Sequence, residues 1–300
     1  MSGMYTSLMP DLVGVDGPPD ASVEIAAAHG FDGVDLRLTK HLDWFENYGV
    51  DRFADFMARH GLRAGYGSML TRTLSAPPAE WDPMLERLPR IAGVAQALGF
   101  CRAGVVVLPF DDHLDFAANR RRHLNRLAQV APILADHGVR VGLEYVAPRS
   151  RRADATFTFV HDLSGMLELL DAADADNLGL MLDSFHWHAA AETTRQIAQL
   201  PASRIVVVHL NDAPRDCPRA KLDIRNRELP GATGVIDLAG MMRALAQTGY
   251  DGPLSAEPTN PRWPEMPADR AVAQTAAAVK ATLALAHPTP PTESESEPSA

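Results

Sequence analysis

Apolar residues recur along the chain in two alternating rhythms. Short runs rich in Val, Ile and Leu, bounded by Gly or Pro, fall at Tyr5–Met9, Val34–Leu38, Ala64–Met69, Ala103–Leu108, Val139–Tyr145, Gly179–Asp183, Ile205–Leu210 and Leu254–Glu257. Runs of this kind predict strands buried on both faces. Between them apolar positions step by three and four, as a helix with one buried stripe requires. Leu124, Leu127, Ala128, Ala131 and Leu134 show it, as do Met84, Leu88, Ile91, Ala95 and Leu98, where Pro89 predicts a kink. Leu238, Met241, Met242 and Leu245 predict a seventh helix, and Val272, Ala276, Val279 and Leu283 an eighth.

One device joins helix to strand. In AAHGFDG, ARHGLRAG, ALGFCRAG, DHGVRVG and QTGYDG a glycine follows the helical pattern and an apolar run restarts. Glycine there can close the helix in the left-handed conformation at little steric cost. Gly30, Gly61, Gly99 and Gly138 are 31, 38 and 39 residues apart, the size of one β/α unit. Eight such units predict an α/β fold, a closed (β/α)₈ TIM barrel. A doubly wound open sheet is the alternative, but no G-x-G-x-x-G follows the first strand.

Composition narrows the class. With 46% apolar and 22% charged residues a large core is available, and no apolar run is long enough to span a membrane. Two cysteines, Cys101 and Cys217, cannot make a disulfide framework or a thiolate-only zinc site, which fits a reducing cytoplasmic setting. The net charge of −10 opposes phosphate backbones, so neither nucleic acid nor membrane is an expected partner. Residues 1–286 are expected to form one barrel. Residues 287–300, HPTPPTESESEPSA, have nothing apolar to bury and are expected to be a disordered tail.

In such a barrel the chemistry sits at the C-terminal ends of the strands. Four strands finish on metal-ligand types: Glu144 in VRVGLEY, Asp183 in LGLMLD, His209 in IVVVHLND and Glu257 in PLSAEP. Period-two alternation sets Glu144 with Gly142, Asp183 with Gly179 and Met181, His209 with Val207 and Ile205, and Glu257 with Ser255. A lone carboxylate at a strand end is more often a helix cap or loop hydrogen-bond acceptor, and His209 alone reads as a satisfied core histidine. Three acids and one histidine in one barrel mouth need a cation to relieve their repulsion. A mixed O/N set suits Mn²⁺ first, with Mg²⁺, Co²⁺ or Zn²⁺ also compatible. His186 and His188 follow in DSFHWHAA, read as a loop with His188 exposed. The long loop after the seventh run carries Asp212, Arg215, Arg219, Arg225 and Arg227; of its arginines Arg227 is placed in the pocket and most of the others in solvent. Asp35 and Arg37 share a face of the second run and could reach the rim, and Trp44, Phe45, Tyr48 and Tyr66 are candidate cavity walls.

GFDGVDLR, VGLEY, LDSFHWHA, VVVHLNDAP, RELPGATGVID and GYDGPLSAEP, taken together and in order, resemble the sugar isomerase/epimerase superfamily that shares its barrel with xylose isomerase. The branch most resembled is the inosose (2-keto-myo-inositol) isomerase-like one. That resemblance implies a xylose isomerase-like TIM barrel in which Glu144, Asp183, His209 and Glu257 bind one divalent metal ion and His186 and Arg227 bind substrate. One departure stands out: such relatives read Pro-Gly-Glu-Gly where this chain reads Pro-Gly-Ala-Thr-Gly from Pro230 to Gly234. The expected activity is isomerisation or epimerisation of a keto-sugar or cyclitol through an enediolate, with Glu144 and Glu257 as the catalytic acid/base pair. The alternatives are a lyase on a related keto-sugar, whether dehydratase or 3-keto-glycoside β-eliminase (including C-glycoside cleavage), and a non-catalytic sugar-binding barrel. Assembly into a homo-oligomer stays open.

Overall fold

Strand and helix alternate throughout the computed structural model, which describes residues 3–70, 73–263 and 265–287. The elements in chain order are β1 (Tyr5–Leu8), α1 (Pro19–Ala28), β2 (Gly33–Leu36), α2 (Leu38–Tyr48), α3 (Val50–Arg59), β3 (Arg63–Gly67), α4 (Pro78–Leu98) and β4 (Arg102–Val107). Then come β5 (Phe110–Asp111), α5 (Phe116–Ala135), β6 (Arg140–Tyr145), β7 (Phe157–Thr158), α6 (Leu163–Ala173), β8 (Leu178–Asp183), α7 (Ser184–Ala189) and α8 (Thr194–Ala198). The last four are β9 (Ile205–Leu210), α9 (Leu238–Thr248), β10 (Pro253–Ala256) and α10 (Ala268–Ala284).

Eight strands form one sheet in the order β3-β2-β1-β10-β9-β8-β6-β4, and every pairing in it is parallel. The order winds through the strands as a TIM barrel does. β3 and β4 lie alongside each other across a seam with no hydrogen-bonded ladder. All eight expected strands are present, with ends shifted by no more than two residues. β10 stops at Ala256, so Glu257 stands just past its strand rather than at its last position.

The glycine device is as the sequence predicts. Gly99 and Gly138, at φ +80° and +69°, turn the chain out of α4 and α5 with the left-handed geometry that a side chain would oppose. The kink expected at Pro89 is not a break: α4 runs as one helix through Pro83 and Pro89, both on its exposed outer face. There the amide bonds that proline forfeits lie on the solvent side.

Small residues let the barrel interior fill from across. A side chain on Gly104 would meet Met181 Sδ at 2.7 Å, and one on Gly142 would meet the Met181 backbone at 2.9 Å. Met181 therefore plugs the space that Gly104 and Gly142 leave open, packed with Val207 and Tyr66. Outside the sheet the helices cover it with a continuous apolar layer. Some short elements escaped the sequence pattern. β5 and β7 pair antiparallel over the loop side of the barrel, and DSFHWHAA is the short helix α7 rather than a loop. The tail expected from residue 287 lies, but for His287, outside the described residues.

Candidate metal centre

Parallel pairing in register carries four side chains to one place. Asp183 on β8 faces His209 on β9, and His209 faces Ser255 on β10, two residues before Glu257. Glu144 comes from β6, which pairs with β8 on its other side. Ligand atoms of Glu144, Asp183, His209 and Glu257 lie within 4.8 Å of one another. Glu144, Asp183 and His209 are buried, and the Glu257 side chain keeps 20% exposure toward the opening. His209 Nδ1 is 3.9 Å from Glu144 Oε1 and 3.7 Å from Glu257 Oε2, beyond hydrogen-bond reach.

Asp183 is held from two directions. Its Oδ1 accepts the His186 backbone N–H at 2.9 Å and so caps α7, while Oδ2 accepts Asn211 Nδ2 at 2.7 Å and Arg227 Nη1 at 3.1 Å. Arg227, 4% exposed, also donates from Nη1 to Glu257 Oε2, and its Nη2 lies 3.1 Å from His186 Nε2. His186 is buried at 1% exposure. The structure thus brings His186 and Arg227 beside the four-residue cluster, although neither is among the residues that line the adjoining cavity.

Other candidates fall elsewhere. His188 is half-buried on α7 and faces Arg219 rather than the cluster, and Arg215, Arg219 and Arg225 are exposed. Asp212 is fully buried but structural. It accepts the backbone N–H groups of Ala213, Thr233, Gly234 and Ile236 and so shapes the Pro-Gly-Ala-Thr-Gly loop. Tyr66 lines the cavity with its ring edge-on to His209, the centroids 5.8 Å apart. The other expected wall residues do not: Trp44, Phe45 and Tyr48 pack around Phe53 between α2 and α3. Asp35 and Arg37 do share a face, Asp35 deep in the barrel and Arg37 at the mouth beside Asp11. Asn211 was not singled out by the sequence; its signal is only that it follows the histidine of β9 by two residues.

The electrostatics are those of crowded acids. Burial, with the Glu257 charge beside it, pushes the Glu144 carboxyl up to about 7. Burial also raises Asp183, although Arg227 partly offsets it. Glu257 moves the other way, because Arg227 and His209 overcome its burial and hold it well below the ordinary carboxylate range. Burial would depress His209, but the Glu144 and Glu257 carboxylates outweigh it and raise the imidazole well above its usual value. Burial and the neighbouring Arg227 charge lower His186 far below its usual value. Buried like charges at this spacing demand a counter-cation. Glu144 Oε1 and His209 Nδ1 are buried with no hydrogen-bond partner, so the donor set fits a divalent ion that these atoms would ligate. Beside the cluster lies a cavity of about 480 Å³ lined by Glu144, His209 and Glu257, by apolar Leu12, Leu70, Val106 and Met181 and by polar Asp11, Thr39, Lys40 and Ser68. A cavity of this size admits a small organic molecule.

The family described as "Xylose isomerase-like TIM barrel" matches residues 23–282. An inosose isomerase from Halalkalibacterium halodurans is 24% identical over 251 residues, covering 83% of this chain and 86% of that protein. A 3-dehydroshikimate dehydratase from Pseudomonas aeruginosa is 29% identical over 265 residues, covering 83% of this chain but 37% of its own length. The solved structure of a xylose isomerase domain protein from Alicyclobacillus acidocaldarius superposes with a TM-score of 0.84 at 28% identity, over 95% of this chain and 99% of that one.

Proposed function

Because this chain belongs to the xylose isomerase-like TIM barrel family, we propose that it is a divalent-metal-dependent isomerase or epimerase acting on a keto-sugar or an inosose-like cyclitol. The observation that carries the reading is the convergence of Glu144, Asp183, His209 and Glu257 within 4.8 Å of one another, with Glu144, His209 and Glu257 lining a ligand-sized cavity. These four residues would hold the ion, with Mn²⁺ the first choice for such an oxygen-rich set. When bound, the ion supplies Lewis-acid polarisation of a substrate carbonyl.

Glu257, kept ionised by Arg227, removes the proton from the carbon next to the carbonyl. The C–H electron pair moves into a C=C bond and the carbonyl takes up negative charge, giving an enediolate. Glu144, across the cluster from Glu257, returns a proton to carbon from the other side. Return to the opposite face of the same carbon is epimerisation; return to the former carbonyl carbon, with the neighbouring hydroxyl proton passing to the oxygen that took up the charge, is aldose–ketose isomerisation. Arg227 and His186 orient the substrate oxygens, His186 through the Nδ1 atom that has no protein partner.

The 29% identical dehydratase supports a second reading, a lyase. The same proton abstraction, followed by departure of a β-hydroxyl as water, is an elimination. Incubating the Mn²⁺-loaded protein with a panel of inososes and keto-sugars in D₂O tests both readings. Deuterium in recovered substrate and an isomeric product of equal mass supports isomerisation or epimerisation, whereas an unsaturated product supports the lyase. No exchange with any member of the panel would overturn the proposal.

A further inference from the structure

Beside the four-residue cluster, three buried polar atoms have no hydrogen-bond partner: Asp35 Oδ2, Ser255 Oγ and His209 Nε2. Asp35 is 3% exposed, Ser255 0% and His209 3%. Their strands follow one another around the wall as β2, β1, β10 and β9. Register sets Ser7 opposite Ser255 and Ser255 opposite His209 in one layer of the interior, which Asp35, two residues beyond the Gly33 that pairs with Ser7, reaches through Ser7 Oγ.

Asp35 is fixed within that layer from two sides. Its Oδ1 accepts Ser7 Oγ at 2.6 Å and the Tyr66 backbone N–H at 2.7 Å. A side chain on Gly65 would begin 2.1 Å from Asp35 Oδ1 and 2.2 Å from Ser7 Oγ, so β3 leaves that space to the carboxylate. With Oδ1 fixed by two donors, Oδ2 is left facing the Ser255 and His209 side. On the far side of the His209 ring Nδ1 faces Glu144 and Glu257, which turns Nε2 away from them. Tyr66, whose own amide is bonded to Asp35, lies edge-on against the ring.

We propose that Asp35 is a positioning residue for His209: Asp35 Oδ2 and the Ser255 hydroxyl hold a buried water that accepts the His209 Nε2 proton. Three convergent polar partners are what a buried water requires. A proton fixed on Nε2 leaves the Nδ1 lone pair aimed at the carboxylates, and a histidine ligand is oriented through its other nitrogen in this way. This assignment rests on the reading of His209 as a metal ligand. Asp35 touches no reacting atom and acts only through the imidazole.

Histidine ¹⁵N spectra of the full-length protein loaded with Zn²⁺, with Mn²⁺ affinity measured by competition against a chelator, test it. Wild type is expected to show His209 with its proton held on Nε2. Asp35→Asn should lose that single tautomer and weaken Mn²⁺ binding about 10–100-fold, the usual cost of losing such a support. An unchanged tautomer together with unchanged affinity in the folded variant would overturn the assignment. Should Asp35→Asn not fold, Ser255→Ala leaves the Asp35 anchors to Ser7 and Tyr66 intact. The same two readouts on that variant then support or overturn the assignment in the same way. If wild type itself takes up neither Zn²⁺ nor Mn²⁺, the functional reading fails and this assignment with it, whereas uptake in wild type that Asp35→Asn leaves unchanged overturns the assignment alone.

Discussion

Glu257 stands at the point where position and charge compete. It lies one residue beyond β10, partly open to the cavity, with the Arg227 guanidinium on its Oε2. Replacing it with Gln keeps the volume and removes the base. Turnover is therefore expected to fall about 10²–10⁴-fold while the thermal midpoint and circular dichroism stay close to wild type. A variant retaining near-normal turnover would take Glu257 out of the mechanism. A second carboxylate, Glu192, makes a different prediction. Its side chain accepts the Tyr145 hydroxyl and the Leu163 backbone N–H, and burial pushes its pKa up to about 7. A raised carboxyl pKa favours the protonated folded form. Stability is thus retained near pH 4.5 and lost as the pH rises through about 7. Glu192→Gln should flatten that decline, a difference of at most about 3 kcal/mol in urea midpoints compared at pH 5 and pH 8.

At this scale the sequence discloses what alternation and strand ends can carry. Glu144, Asp183, His209 and Glu257 were legible because the winding of a parallel barrel alone brings strand ends together. Asn211 and the capping duty of Asp212 were not, because each depends on a loop folding back over it; Asp212 binds amides more than twenty residues further on. The aromatic residues expected in the cavity wall have a similar explanation. Trp44, Phe45 and Tyr48 belong to α2, whose apolar stripe faces α3 and α4, and a count of aromatic residues does not distinguish that layer from the barrel interior.

Among elements, strands were read well and short helices poorly. α7 has six residues, too few for a helical period to register, and it begins on Asp183, whose residue type also suits a metal ligand. One side chain there serves both as helix cap and as a member of the cluster. β3 shows the opposite economy, in that its key position is the residue with no side chain. Gly65→Ala would drive a methyl group into the Asp35 and Ser7 pair and is expected to cost about 1–3 kcal/mol, the usual range for overpacking. Chemical denaturation of the variant measures this directly, and a change below about 0.5 kcal/mol, the scale of an ordinary surface substitution, would show that the cradle yields.

For the molecule as a whole, the four-residue cluster couples strands from β6 to β10. An ion held there binds the folded state alone, so it should stabilise the entire barrel. At a hundred times its dissociation constant, Mn²⁺ is expected to add about 2.7 kcal/mol and raise the melting temperature by roughly 4 °C. Calorimetry with and without a chelator checks this, and identical melting curves would count against the ion site. Among the described residues no helix is long and apolar enough to cross a membrane.

The seam between β3 and β4 has a consequence for how such a protein can change its diet. The three clustered acids and the imidazole hang from staves laced on both sides, or from the residue just past one. Tyr66, Ser68 and Leu70 instead hang from or just beyond a stave laced on one side only. Substitutions along that loose margin can recontour the cavity wall without tugging on the laced staves opposite. The barrel therefore separates a fixed workbench from an adjustable grip, and new substrates should be won by mutation at the margin first.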